Sequence, residues 1–331
     1  MTWSRVRWFC SGVLFLCACG HPNQPTAAPR PATSIRRVGP VTDLVPAAGL
    51  RWMLVARGHE LSESPAMARA VLRLVSQERL DAFARVNGID LRALPLGCIA
   101  GFDFGELYLA QGVDRAAAER AFKNRLSVEP RARNLDPDLV WIDGLVGNTP
   151  EAFVGVGRDQ VAIAVGDLSL ARASVGFATG KLIRSPSALH GAALSAVSDP
   201  TAAPLLFYAP GPFQGKWEHG IAGLLANTTA LRVAVTPGDA NHVDVELTMM
   251  GQYSFGPDDT ERRLISSWEA LSQSPLGRLL GLDSENTHAE PHADDQRARL
   301  RLKIATEPLA TGLHDVVSGD LLEILQVSPL H

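Results

Sequence analysis

Tyrosine is scarce in this chain, at three residues in 331, and all aromatics together make up 6%. A core built from it must rest on Leu, Val, Ala and Ile, so the period of the apolar residues carries the fold information. No apolar run reaches the roughly twenty residues a membrane-crossing helix needs, which excludes that class of span. Charged residues are 20% and the net charge is −4, so no basic field marks nucleic acid as a partner. Known catalytic signatures are missing as well. There is no Gly-x-Ser-x-Gly elbow and no Gly-x4-Gly-Lys-Ser/Thr phosphate loop, and His59-Glu60 lacks the second His of a metalloprotease helix. Gly155-Val-Gly157 sits in a strand pattern without the third Gly of a dinucleotide fingerprint. What remains is 46% apolar residues, enough to exclude a disordered chain.

Four cysteines, at 10, 17, 19 and 98, first read as two disulfides. The amino end changes that count. Arg5 and Arg7 precede an apolar run from Trp8 to Leu16, followed by small residues, which is the pattern of a secretory signal. Leu16-Cys17-Ala18-Cys19 resembles the lipobox of bacterial lipoproteins. The resemblance implies a signal peptide over 1–18, cleavage before Cys19, and diacylglycerol on the Cys19 sulfur, often with a further acyl chain on the new amino group. Two or three acyl chains anchor firmly where one does not, at about 0.8 kcal/mol per buried methylene. Gly20, where an Asp would favour inner-membrane retention, implies the outer membrane, facing the periplasm. Losing Arg5 and Arg7 shifts the net charge from −4 to −6. One thiol, Cys98, is then left in Leu94-Pro-Leu-Gly-Cys-Ile-Ala100, and it reads as a buried, inert side chain.

Residues 19–48 carry the Pro-rich run His21 to Pro31 and read as a semi-extended tether. Beyond it the elements come in a repeating order. Leu50 to Arg57 predicts a strand; Ser64-Pro65 then opens an amphipathic helix that stops at Asn87-Gly88. Two short strands follow around the turn Asp103-Phe-Gly105, then a helix capped by Asp114, a strand at Leu139 to Asp143, and a hairpin around Arg158-Asp159. The second half repeats the sense of this: a strand at Leu205 to Tyr208, a weak helix from about Lys216 to Leu225, and alternating strands across the Pro237-Gly238-Asp239 turn. A helix from Asp259, an alternating strand from Arg297 to Ile304 and a last helix from Thr306 complete it. The expected fold class is α+β. It comprises two tandem ferredoxin-like (βαββαβ) modules, over 49–185 and 186–331, with mainly antiparallel sheets and helices on one face. The repeat register stays open between an offset of 193 (Gly88-Ile-Asp90 on Gly281-Leu-Asp283) and one of 153 (residue 51 on 204). Gly88-Ile-Asp90, Glu106 to Ala110, Asp114 and Ala162 to Asp167 together resemble a loose family of uncharacterised exported bacterial proteins built from tandem α/β modules. That family brings no catalytic residues to carry over.

Three features compete as sites. His288, Glu290 and His292 lie within an acidic stretch running to Asp295, a set able to hold zinc, but Pro291 argues against a helix that would align them. A solvated loop is the expectation there, with no cofactor and at most a weak metal or ligand carrier. Arg297, Arg299, Arg301 and Lys303 alternate along a strand, and His242, Asp244 and Glu246 do so on its expected neighbour, so the cations read as sheet-surface ion pairs. Trp52, Trp141, Trp217 and Trp268 fall on apolar faces and are expected in the core. The functional expectation is a lipid-anchored envelope protein, non-catalytic, that binds or scaffolds another envelope component. An enzyme with a site between the two modules is the alternative.

Overall fold

A computed structural model describes residues 39–182, 203–283 and 287–315. The signal peptide, Cys19 and most of the tether therefore lie outside the described residues, as does the expected module boundary at 185. The first half runs β1 (Leu50–Ala56), three short helices α1 (Gly58–Glu63), α2 (Pro65–Leu74) and α3 (Gln77–Asn87), then β2 (Leu96–Phe102) and β3 (Glu106–Gln111). It continues with α4 (Arg115–Arg125), β4 (Arg131–Asp136), β5 (Leu139–Val146), β6 (Thr149–Val156), β7 (Gln160–Val165) and α5 (Leu168–Ala178). The second half holds β8 (Leu205–Pro210), β9 (Thr228–Pro237), β10 (His242–Gly251), α6 (Pro257–Ser272), α7 (Pro275–Leu279), β11 (His288–Ala293), β12 (Arg297–Ala305) and α8 over 306–315.

All twelve strands form one sheet in the order β11-β12-β10-β9-β8-β1-β2-β3-β7-β6-β5-β4. The two expected modules are thus not separate sheets. They are joined by an antiparallel ladder in which Met53 faces Tyr208 and Val55 faces Leu206. Ferredoxin-like wiring is also replaced, because split βαβ units create parallel neighbours and every described ladder is antiparallel. β1 runs beside β2 although three helices separate them in sequence.

The helices do not keep to one face. On the back of the sheet, α4 buries Ala118 and Phe122 against Phe153 and Ile142, and α6 buries Leu264 against Met249 and Leu300. On the front, α5 and the segment 41–45 cover β1 to β7 through Leu170, Ala171, Val41 and Leu44. Composition explains the front cover. β6 and β7 read Phe-Val-Gly-Val and Val-Ala-Ile-Ala-Val, apolar on both faces, so both must be buried. Val41, Leu44 and Val45, counted with the tether in the sequence, are 0–1% exposed and belong to this core. Ser174 Oγ donates to the Leu44 carbonyl at 3.0 Å, and Gln160 Nε2 donates to that of Gly39 at 3.0 Å.

Local signals hold at the caps. The side chains of Ser64, Asp114 and Asp167 accept from the first-turn amides of α2, α4 and α5. The single helix expected over 65–87 is two, broken at Val75 and recapped by Ser76. The weak helix at 216–225 is a pair of 3-10 turns, Gly215–His219 and Leu224–Asn227. Trp217, on the first of them, is 69% exposed rather than core, while Trp141 is buried and Trp268 packs partly buried behind β10 and β12.

Candidate functional site

Alternation in the second half leaves one face charged. β9, β10 and β12 turn Leu231, Val233, Val243, Leu247, Leu300 and Ile304 to the back. The same register turns Arg232, Thr236, Asp244, Glu246, Thr248, Arg299, Arg301 and Lys303 to the front. β11 adds His288, Glu290 and His292 to that front face, opposite Lys303, Arg301 and Arg299. A shallow depression of about 480 Å³ lies here, its wall including Arg232, Glu246, Glu290, Arg301 and Lys303.

Register decides which charges meet. Glu246 lies directly opposite Arg301, whose Nε donates to it at 3.1 Å, while the Nε of Arg299 stands 3.8 Å from the same carboxylate. Burial works against the Glu246 anion, yet the Arg301 hydrogen bond and the charges of Arg299 and Arg301 outweigh it and hold its pKa below the usual value. Lys303 reaches Asp239 in the β9–β10 turn at 2.8 Å, although Asp244 is its opposite in the ladder. Asp239 also accepts from the Asn241 amide at 3.0 Å and lies 2.7 Å from His242 Nδ1. Hydrogen bonds from Lys303 and His242 hold its carboxyl far below the ordinary range. The cation row is therefore largely an ion-paired sheet surface, each cross-strand pair contributing roughly 0.2–1 kcal/mol.

Arg232 breaks this pattern. Among the described residues no acid pairs with it, and its Nε is buried with no acceptor, as is the Nε of Arg299. An unmet buried donor costs about 1–3 kcal/mol. Nothing in the local sequence singled Arg232 out, since Leu-Arg-Val-Ala-Val reads only as an alternating strand; its isolation appears once β8 and β10 supply no acid beside it.

His288, Glu290 and His292 do come to one face, through the two-residue period of a strand and not through a loop or helix. They stand on an outer strand with 76%, 64% and 73% of their side chains exposed. Among the described residues no three His, Cys, Asp or Glu side chains converge as a metal site. Cys98 is buried on the front of β2 between Val55 and Leu109, and burial pushes its thiol far above the usual value. Among the described residues, the β1–β8 ladder at the junction of the halves is filled by Met53, Val55, Leu206 and Tyr208, all buried.

No protein-family profile and no curated protein matches the chain. Among solved structures, crystal form III of TP0453 superposes with a TM-score of 0.51 at 11% identity, over 84% of this chain and 99% of that one. Crystal form I of TP0453 gives 0.45 at 12% identity, over 85% and 99%. At such identity the likeness to crystal form III is one of fold alone: a mixed α+β chain organised on a large antiparallel sheet.

Proposed function

We propose that this protein is a lipid-anchored component of a bacterial envelope, held by Cys19 in the outer membrane and facing the periplasm. It works by binding or scaffolding rather than by catalysis. The observation that carries the binding role is the front of β9 to β12. A charged, mostly ion-paired face lies open there among the described residues, while the front of β1, β2, β3, β5, β6, β7 and β8 is buried in the apolar core. The apolar filling of the β1–β8 ladder speaks against the alternative of an enzyme site between the halves. Among the described residues no helix is long and apolar enough to cross a membrane. Lipid on Cys19 is the attachment that Leu16-Cys17-Ala18-Cys19 offers.

The duplication is read in a revised form. Strands β1-β2-β3-β7-β6 and β8-β9-β10-β12-β11 follow the same order outward from the central ladder, with β4 and β5 added at one end. This supports the offset near 153, which places β8 on β1. The offset of 193 would equate Gly88, between β1 and β2, with Gly281, between β10 and β11.

Metabolic labelling with radioactive palmitate tests the anchor. The wild-type chain is expected to carry label and to sediment with membranes, and Cys19→Ser to lose both. Photo-crosslinking in intact envelopes tests the face: a photoreactive group in place of Asp244 is expected to give adducts, and one in place of the exposed Arg120 on α4 to give none. Equal labelling of Cys19→Ser, or adducts from Arg120 alone, refutes the corresponding half of the reading.

A further inference from the structure

We propose that the back of the sheet binds an organic ammonium ion at Glu106, between the rings of Trp52 and Tyr108. This site is separate from the front face of β9 to β12 and does not depend on it. α4 packs on β6 and β7 and α6 on β11 and β12, so among the described residues the back of β1, β2 and β3 lies between the two helices. Register brings three side chains together there. Trp52 of β1 lies opposite Gly101 of β2, which lies opposite Glu106 of β3. Because Gly101 has no side chain, the indole of Trp52 lies across β2, where a Cβ of residue 101 would stand. That brings the ring to about one strand spacing, roughly 4.8 Å, from the Glu106 position. Tyr108 is two residues on from Glu106, on the same face, and its hydroxyl donates to Glu106 Oε2.

All three are reached by solvent: Tyr108 is 38% exposed, and Trp52 and Glu106 are half-buried. Burial and the Glu106 carboxylate push the Tyr108 hydroxyl up to about 12, so it is a donor at neutral pH. One oxygen of Glu106 is thereby taken. Among the described residues the other has no partner, and no cation pairs with the group. The acids around it are matched. Glu151, beyond Val165 in the same row, has Arg125 at 3.3 Å, and Asp103 has Arg51 at 2.5 Å. Asp167 accepts from the Ser169 amide at 2.8 Å. Glu106 is left as the acid of this face without a counter-charge.

Charge and surroundings select the ligand. A lone carboxylate favours a monovalent cation and repels anions. One free oxygen is too few for a calcium ion, which takes about six to eight. Two electron-rich rings beside a carboxylate are the surroundings that hold an alkylated ammonium, whose charge is diffuse and whose methyl groups need apolar contact. Ile99 and Leu54, half-buried in the next row beside Tyr108, supply that contact.

Tetramethylammonium, followed by the line width of its methyl protons, is the probe, titrated with the full-length protein in non-ionic detergent. Saturable broadening in the millimolar range is expected, about tenfold weaker in Glu106→Gln and in Trp52→Leu, and within about twofold of wild type in Asp244→Asn on the front face. Circular dichroism verifies that each variant is folded. Should a variant not fold, tert-butanol carries the test with the wild-type chain: it has the methyl groups without the charge and is expected not to bind. Choline is expected to displace the probe. Phosphocholine displacing it as well marks a lipid headgroup as the source of the ammonium, and choline alone marks a free solute. The proposal is overturned by absence of saturable broadening in wild type, by equal binding in Glu106→Gln, by tert-butanol binding as well as the probe does, or by failure of choline to displace it. The Cys19 label and the Asp244 adducts report on the envelope reading separately.

Discussion

Two glutamates at opposite ends of the sheet respond to acid in opposite senses. Glu246 is held below the usual carboxylate value, because its arginine partners outweigh the burial that works against its charge. Its contribution is present above the unfolded-state pKa and is lost as pH falls through the lowered native value. Asp239, Asp90 and Asp167 carry shifts of the same sign. Glu151 is pushed upward by burial, and Arg125 at 3.3 Å offsets only part of that. Its native state prefers the proton, so what it contributes is present at low pH and is lost as pH rises through its raised value. With four groups against one, thermal stability is expected to hold from neutrality to about pH 5 and to fall below about pH 4. Glu246→Gln should make that acid limb shallower, as thermal melts across the range would register. If the limb is unchanged, the Arg301 and Arg299 contacts do not matter to stability. At this scale the sequence was informative where neighbours are local or strictly periodic: Cys98 in its apolar run, and Glu246 facing Arg301 through two matching alternations. It was silent on Glu151 and Arg232, whose surroundings come from strands far away in the chain.

At the scale of elements, Asn87-Gly88 is a stop signal that the backbone requires. Gly88 closes α3 with φ at +67°, and a Cβ there would stand 2.8 Å from the Ala117 carbonyl group of α4. Gly88→Ala is expected to cost more than about 1 kcal/mol, from the left-handed backbone and the contact together, as urea unfolding would measure. A cost near zero would mean that α3 and α4 part easily. Gly155 is needed for a different reason: the aliphatic part of Arg115 lies where its side chain would be, and Arg115 donates to the Gly157 carbonyl. Hairpins and caps were legible because their determinants sit within four residues. β4 was not, since Arg-Ala-Arg-Asn-Leu-Asp buries almost nothing and shows no apolar period; only its ladder with β5 makes it a strand. β11 was hidden by Pro291, tolerated because the strand is at the end of the sheet. The break at Ser76 was masked by an apolar stripe that continues through Val75.

On the scale of the whole molecule, the halves are tied by more than the β1–β8 ladder. Met67 of α2 packs against Val243 of β10, Arg69 donates to the Ala240 carbonyl at 2.6 Å, and Arg73 reaches Glu307 at 3.5 Å. Unfolding is therefore expected in one transition, with tryptophan fluorescence and far-ultraviolet circular dichroism giving the same midpoint. Leu206→Ala should lower both midpoints together, at a stability cost of about 2–5 kcal/mol. Two separated midpoints would instead mean that each half is stable alone. None of this joining was visible in the sequence, because no local pattern pairs residue 53 with residue 208. The central ladder also orders events in time. During synthesis β1 emerges about 150 residues before β8, so a nascent first half has an unpaired, apolar edge at Met53, Leu54 and Val55 until the second half arrives. That long wait makes the unfinished chain, rather than the finished protein, the species most in need of protection from aggregation.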